Sequence, residues 1–155
     1  METIEGRWLH FKARGHPNVT AAHRTTLEIT KDDWLTERGD CIVGVSSEAS
    51  AADLPSWLKD AIRGGATVIV VLCAGGICDS VVGRGDPGLE LSDPRRMIVR
   101  RSTYKEPATL MISSSKAARD LDRRLVSQLS AGAQLDVFIT ALPRWRNLAH
   151  DIASI

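Results

Sequence analysis

The 155-residue chain lacks most of what would announce a specialised class. It has one tyrosine, two phenylalanines and four tryptophans, too few aromatics for an obvious stacking platform for single-stranded nucleic acid. No apolar run approaches the roughly 20 residues of a membrane-spanning helix, so no membrane partner is expected. The charge is balanced, with 20 basic against 19 acidic residues, and no global field steers the chain toward nucleic acid or an anionic surface. The three cysteines show no CxxC spacing. Cys41 and Cys73 border apolar runs and read as small buried hydrophobes, which together with Met1 to Gly6 lacking a signal-peptide pattern leads to the expectation of a reducing, cytoplasmic location. The G-x-G-x-x-G fingerprint and the G-x-S-x-G elbow are absent. Ala74-Gly75-Gly76 follows an apolar strand but opens no helix, so phosphate cradling is not expected there. No internal repeat is evident, and one domain over 1–142 with a tail at 143–155, carrying Pro143, Trp145 and His150, is the expected organisation.

Short strands are what the chain does have. Arg7 to Ala13 alternates apolar and polar residues; Gly15 and Pro17-Asn18 then force a turn. A strand is expected from about His23 to Thr30, and others at Cys41–Val45, Cys78–Gly83, Met97–Val99, Thr109–Ile112 and Leu135–Thr140. Ala66–Ala74 is apolar without alternation and is expected as a central strand buried on both faces. Two helices are expected. One covers Pro55–Arg63, stopped by Gly64-Gly65. The other covers Lys116–Leu129, capped by Ser113 to Ser115 and carrying Ala117, Leu121, Leu125 and Leu129 on one face. Strands so closely spaced point to an α+β, mainly β chain: an antiparallel β-sandwich, jelly-roll-like, with two covering helices. A small α/β domain around Val68–Leu72 is the alternative.

Polar chemistry concentrates between Ala13 and Thr30. His16, His23 and Glu28 are the candidate catalytic residues, imidazoles being the side chains that exchange protons near neutral pH. Arg14, Asn18, Arg24, Thr26 and Lys116 are the candidate ligand-binding residues for a small anionic, phosphate-bearing molecule. Lys116 enters because a cation at a helix N-terminus opposes the dipole and invites an anionic neighbour. The residues identify no particular cofactor, whose identity stays unknown at this level. Metal binding would fall to His16 and His23, although their spacing matches no metal motif, and Glu28 would lie on the face of a regular strand opposite His23. Arg95, Arg96, Arg100 and Arg101 bracket a strand and form the basis of an alternative, an RNA- or protein-binding surface. A structural homo-oligomer is the third alternative.

The blocks Gly15-His16-Pro17-Asn18-Val19-Thr20, His23 to Glu28 and Leu35 to Val45, with the looser Val82 to Gly85 and Lys116 to Leu121, resemble the archaeal domain of unknown function number 371. The resemblance implies a compact β-rich archaeal protein, related in architecture to jelly rolls, and carries over no catalytic residue. The family pattern has an acid before Lys-Ala-Ala, where Ser115 stands here.

Overall fold

The computed structural model describes residues 7–142. Eight strands form two four-stranded sheets. β1 (Leu9–Arg14), β8 (Gln134–Leu142), β4 (Thr67–Ala74) and β5 (Ile77–Arg84) make the first in that order. β3 (Ile42–Gly44), β2 (Thr26–Thr30), β6 (Arg96–Arg100) and β7 (Thr109–Met111) make the second. Helices α1 (Ser56–Arg63) and α2 (Arg123–Ser130) precede β4 and β8. The mainly β, two-helix composition is the one expected. The antiparallel expectation holds for four strand pairings, but β2–β3 and β6–β7 are parallel, a departure from jelly-roll pairing. A parallel pair needs a connection long enough to carry the chain back along the strand, and the loops over 31–41 and 101–108 are long enough for these short strands.

Chain order shows the principle of assembly. The sequence β1-β2-β3-α1-β4 recurs as β5-β6-β7-α2-β8, so the chain is a duplication, correcting the expectation of no repeat. Few side chains recur, but the conformational details do. Gly15-His16-Pro17 returns as Gly85-Asp86-Pro87, and Ala51-Ala52-Asp53-Leu54 as Ala118-Arg119-Asp120-Leu121. Ala21 and Leu91 share φ near 50°, as do Ser46 and Ser113. Asp53 accepts the Ser50 N–H at 2.9 Å, as Asp120 accepts that of Ala117 at 2.9 Å. The Glu48 carboxylate accepts the Lys12 N–H, and the Ser115 hydroxyl takes its place by accepting the Val82 N–H.

The two copies interlock. β1 of the first pairs with β8 of the second, while β2 pairs with β6. Single bridges, Arg14 to Val45 and Arg84 to Ile112, tie the sheet edges. Leu58 and Ile62 of α1 and Leu125 and Leu129 of α2 are fully buried in one continuous core with the inward faces of both sheets.

Several local expectations change. Lys116–Leu129 is not one helix: a 3-10 turn at Ala118–Asp120 is followed by a break, and Asp122 caps α2 by accepting the Arg124 N–H at 2.8 Å. The strand expected from His23 starts at Thr26. β4 alternates, with Val68, Val70, Leu72 and Ala74 buried while Thr67, Ile69, Val71 and Cys73 are half-buried. Cys73 and Cys78 oppose each other across the β4–β5 hairpin and form a disulfide, which removes the cysteine-based reason for a reducing compartment. No helix among the described residues is long and apolar enough to cross a membrane. The expected tail lies outside the described residues.

The interlock depends on two glycines. A Cβ on Gly15 would stand 2.0 Å from the Leu129 carbonyl oxygen, and one on Gly85 would stand 2.0 Å from that of Ile62. Each copy's turn is thus seated on the end of the other copy's helix, against backbone that cannot rotate away. Gly15→Ala and Gly85→Ala should each cost about 3 kcal/mol, the upper range for overpacking. Urea unfolding measures this, and loss at one position only would contradict equivalent seats.

Candidate functional site

The internal copy separates what the fold requires from what has been added. His16 and His23 fall on the required side. The His16 Nδ1 accepts the Asn18 N–H at 3.0 Å, and Asp86 does the same for Gly88 at 2.8 Å. The His23 Nδ1 accepts N–H groups from Thr25 at 3.2 Å and Thr26 at 3.1 Å, and Asp93 does the same for Arg95 and Arg96, both at 2.8 Å. Each imidazole stands in for an aspartate at a turn, with its proton on Nε2. The Nε2 atoms remain for other partners. Among the described residues no three His, Cys, Asp or Glu side chains converge in a metal-binding group.

The second group of expected residues divides further. Lys116 ion-pairs with Asp79 of β5 and stands ahead of a 3-10 turn rather than at a helix N-terminus, so the dipole reason for expecting an anion there does not hold. Arg14 and Arg24 are exposed. Thr26 Oγ1 lies 3.0 Å from His23 Nδ1. Arg95, Arg96, Arg100 and Arg101 are matched by Asp32, Asp93, Glu106 and Asp120 respectively, so they do not form an unneutralised basic surface.

The largest departure between the copies is a loop. Eleven residues, 31–41, join β2 to β3, whereas eight, 101–108, join β6 to β7. The longer loop walls a shallow groove of about 670 Å³ lined by Asn18, Leu35, Thr36, Glu37 and Arg38. Leu35 is anchored in the core at 4% exposure, and its carbonyl accepts the Asn18 Nδ2 hydrogen bond at 2.7 Å. Gly39 donates to Thr36 at 3.0 Å, closing the turn, and the Asp40 carbonyl accepts the Ala22 and His23 N–H groups. A Cβ at Gly39 would strike the Leu35 side chain at 2.6 Å. The histidine-bearing segment thus holds the loop, and His16 orients the Asn18 backbone. Arg38 is exposed and has no carboxylate partner among the described residues.

Glu28 is the second departure. It is buried on β2, its Oε1 4.0 Å from Arg96 and 3.9 Å from the Cys41 sulfur. In the second copy Ile98 and Ala108 occupy these two places: the Glu28 N–H donates to Cys41 and the Ile98 N–H to Ala108, both at 2.8 Å. Because the strand starts after His23, alternation does not set that residue against Glu28; Thr26 links His23 to the Glu28 face. Burial raises the Glu28 pKa, opposed by Arg96. Burial, with the Glu28 charge, pushes Cys41 up to about 11, leaving an unreactive thiol at neutral pH.

The sequence comparisons agree with the resemblance. Residues 11–142 match the model of the family described as Domain of unknown function (DUF371). The chain belongs to this family. An archaeal relative, the uncharacterised protein MJ0206 of Methanocaldococcus jannaschii, is 43% identical over 124 residues, covering 80% of this chain and 92% of the relative.

Arg38 and its groove went unread in the sequence. The available signal was the unequal spacing between the two turn motifs and the strands that follow. A raised carboxyl pKa in the folded state adds stability below the unfolded value and loses it as pH rises through the folded one. Wild-type stability should therefore gain a Glu28 contribution as pH falls from neutral toward 4.5. Glu28→Gln should lack that slope in chemical denaturation series, while an unchanged slope would contradict the assignment. Thiol titration of the unreduced protein should find one free thiol, Cys41, which reacts slowly at neutral pH while folded and readily once unfolded.

Proposed function

We propose that this protein binds a small anionic molecule in the groove between Asn18 and the Leu35–Arg38 loop. The single observation carrying this reading is that the groove is built where the first copy departs from the second. Asn18 stands where the second copy has Gly88, and the extra loop length places a cationic, solvent-reachable guanidinium beside it. A duplicated fold does not need these features at one end only.

Arg38 supplies charge and a planar donor fork suited to a carboxylate or phosphate. Asn18 keeps its side-chain oxygen for a ligand donor, since its Nδ2 is bound to Leu35. His16 and His23 act one step back, fixing Asn18 and the loop, and the Nε2–H of His16 is left as a hydrogen-bond donor. Arg14 and Arg24 lie outside the lining of the groove, and Lys116 is held by Asp79, so in this reading Asn18 keeps the role expected of it and Arg38 supplies the cation.

The shallow groove fits weak, selective binding rather than enclosure. Titration calorimetry with inorganic phosphate at low salt should show binding that Arg38→Ala weakens about tenfold, the order expected for losing a charged hydrogen bond. Arg101→Ala, remote from the groove lining, should bind like wild type. No heat with wild type, or equal weakening by both substitutions, would remove this reading.

A further inference from the structure

β2 and β6 are corresponding strands of the two copies, and the loop after each carries one exposed aromatic ring at the same distance from the strand's end. Trp34 follows Thr30 by four residues, and Tyr104 follows Arg100 by four. The two residues are equally exposed, at 61% and 62%. Their ring faces are not equally occupied. The Arg100 guanidinium stands over the Tyr104 ring, 4.8 Å from its centroid, and is held there by Thr109 Oγ1 at 3.1 Å and by Glu106 at 3.4 Å. A cation over an aromatic face is a favourable contact, so the second copy fills its own ring.

The first copy does not. Thr30 stands where the second copy has Arg100, and it is buried, its Oγ1 accepting the Asp32 N–H at 3.1 Å. The Trp34 ring has neither a cation nor another ring against it among the described residues. Trp34 directly precedes Leu35, which lines the groove, so this open ring belongs to the same extended loop as Arg38.

The groove itself suits more than an inorganic anion. Its volume of about 670 Å³ lies in the range of sites that take whole small molecules. Its lining is mixed: Arg38 is a cation, Glu37 a carboxylate, and Asn18 and Thr36 are neutral hydrogen-bonding groups. A bare phosphate meets Glu37 only as a like charge. A ligand carrying hydroxyls beside its phosphate can donate to that carboxylate, as ribose hydroxyls do to acidic side chains in nucleotide sites.

We propose that the ligand of this groove is a mononucleotide, with its phosphate on Arg38, its ribose hydroxyls donating to Glu37 and its base stacked on Trp34. Such a ligand presupposes the anion-binding reading above and adds the chemistry of the rest of the molecule. Stacking tolerates any base, because every base has a π-face. One ring serves one base, in keeping with a chain too poor in aromatics to hold a strand.

Titration calorimetry with adenosine monophosphate and with inorganic phosphate, each on wild type, Trp34→Ala, Trp34→Phe and Arg38→Ala, tests this. The nucleotide should bind wild type about tenfold more tightly than phosphate, the order expected for stacking one base. Trp34→Ala should lose that gain while phosphate heat persists, which reports an intact groove, and Trp34→Phe should keep most of it. Arg38→Ala should weaken both ligands. Phosphate heat with no gain for the nucleotide, or a gain that Trp34→Ala retains, would overturn the mononucleotide and leave the anion reading standing. Loss of phosphate binding in Trp34→Ala would also overturn it, because the ring would then be a structural part of the loop. No heat with either ligand, or equal affinities in wild type and Arg38→Ala, would remove the anion reading and the mononucleotide with it.

Discussion

Two backbone contacts hold this fold in its arrangement. The Gly15 turn rests on the carbonyl of Leu129 and the Gly85 turn on that of Ile62, with no room at either for even a methyl group. Because each turn belongs to one copy and each helix end to the other, neither copy can complete its packing alone. The same exchange appears in the first sheet, where strands from the two copies alternate as β1-β8-β4-β5. One continuous core follows, since the buried leucines and isoleucine of α1 and α2 meet the inner faces of strands from both halves.

That duplication also works as an internal control. Where both copies present the same hydrogen bond through different side chains, the fold accounts for the residue: His16 matches Asp86, His23 matches Asp93, and Glu48 matches Ser115. Where one copy carries a polar group that the other replaces with an apolar one, the fold does not account for it. Glu28 and Cys41 against Ile98 and Ala108 are such a case. The long loop over 31–41 is another, and it also walls the groove at Asn18. Burying a carboxylate costs free energy unless it is closely paired, and Glu28 has Arg96 only at 4.0 Å and the Cys41 thiol at 3.9 Å, so its burial weighs against stability.

Much of the sheet was legible in the sequence because period-two alternation is a direct signature of a half-buried strand, clear in Leu9 to Arg14. The resemblance to the family was legible in the blocks at 15–28 and 35–45, which the structure shows joined through Asp40 and Asn18. The duplication was not legible, since packing conserves volume and turn conformation more than identity: Val19 matches Leu89, and Leu27 matches Met97. The helix over 116–129 was overextended because Ala117, Leu121, Leu125 and Leu129 keep a helical spacing across the break at Leu121-Asp122. Asp122 as a cap was the countersignal. The histidines drew the site reading toward themselves, since a ring nitrogen that substitutes for an aspartate oxygen at a turn looks in sequence like a proton carrier.

A claim built on asymmetry between two halves is best tested by reading both halves at once. Amide chemical-shift mapping of the nitrogen-15-labelled protein during phosphate titration does this. Asn18 and Thr36 to Arg38 should shift and saturate together, while the corresponding turn at Asp86 to Gly88 and the shorter loop at 101–108 stay still. Equal shifts at both turns, or shifts confined to the second copy, would contradict the account.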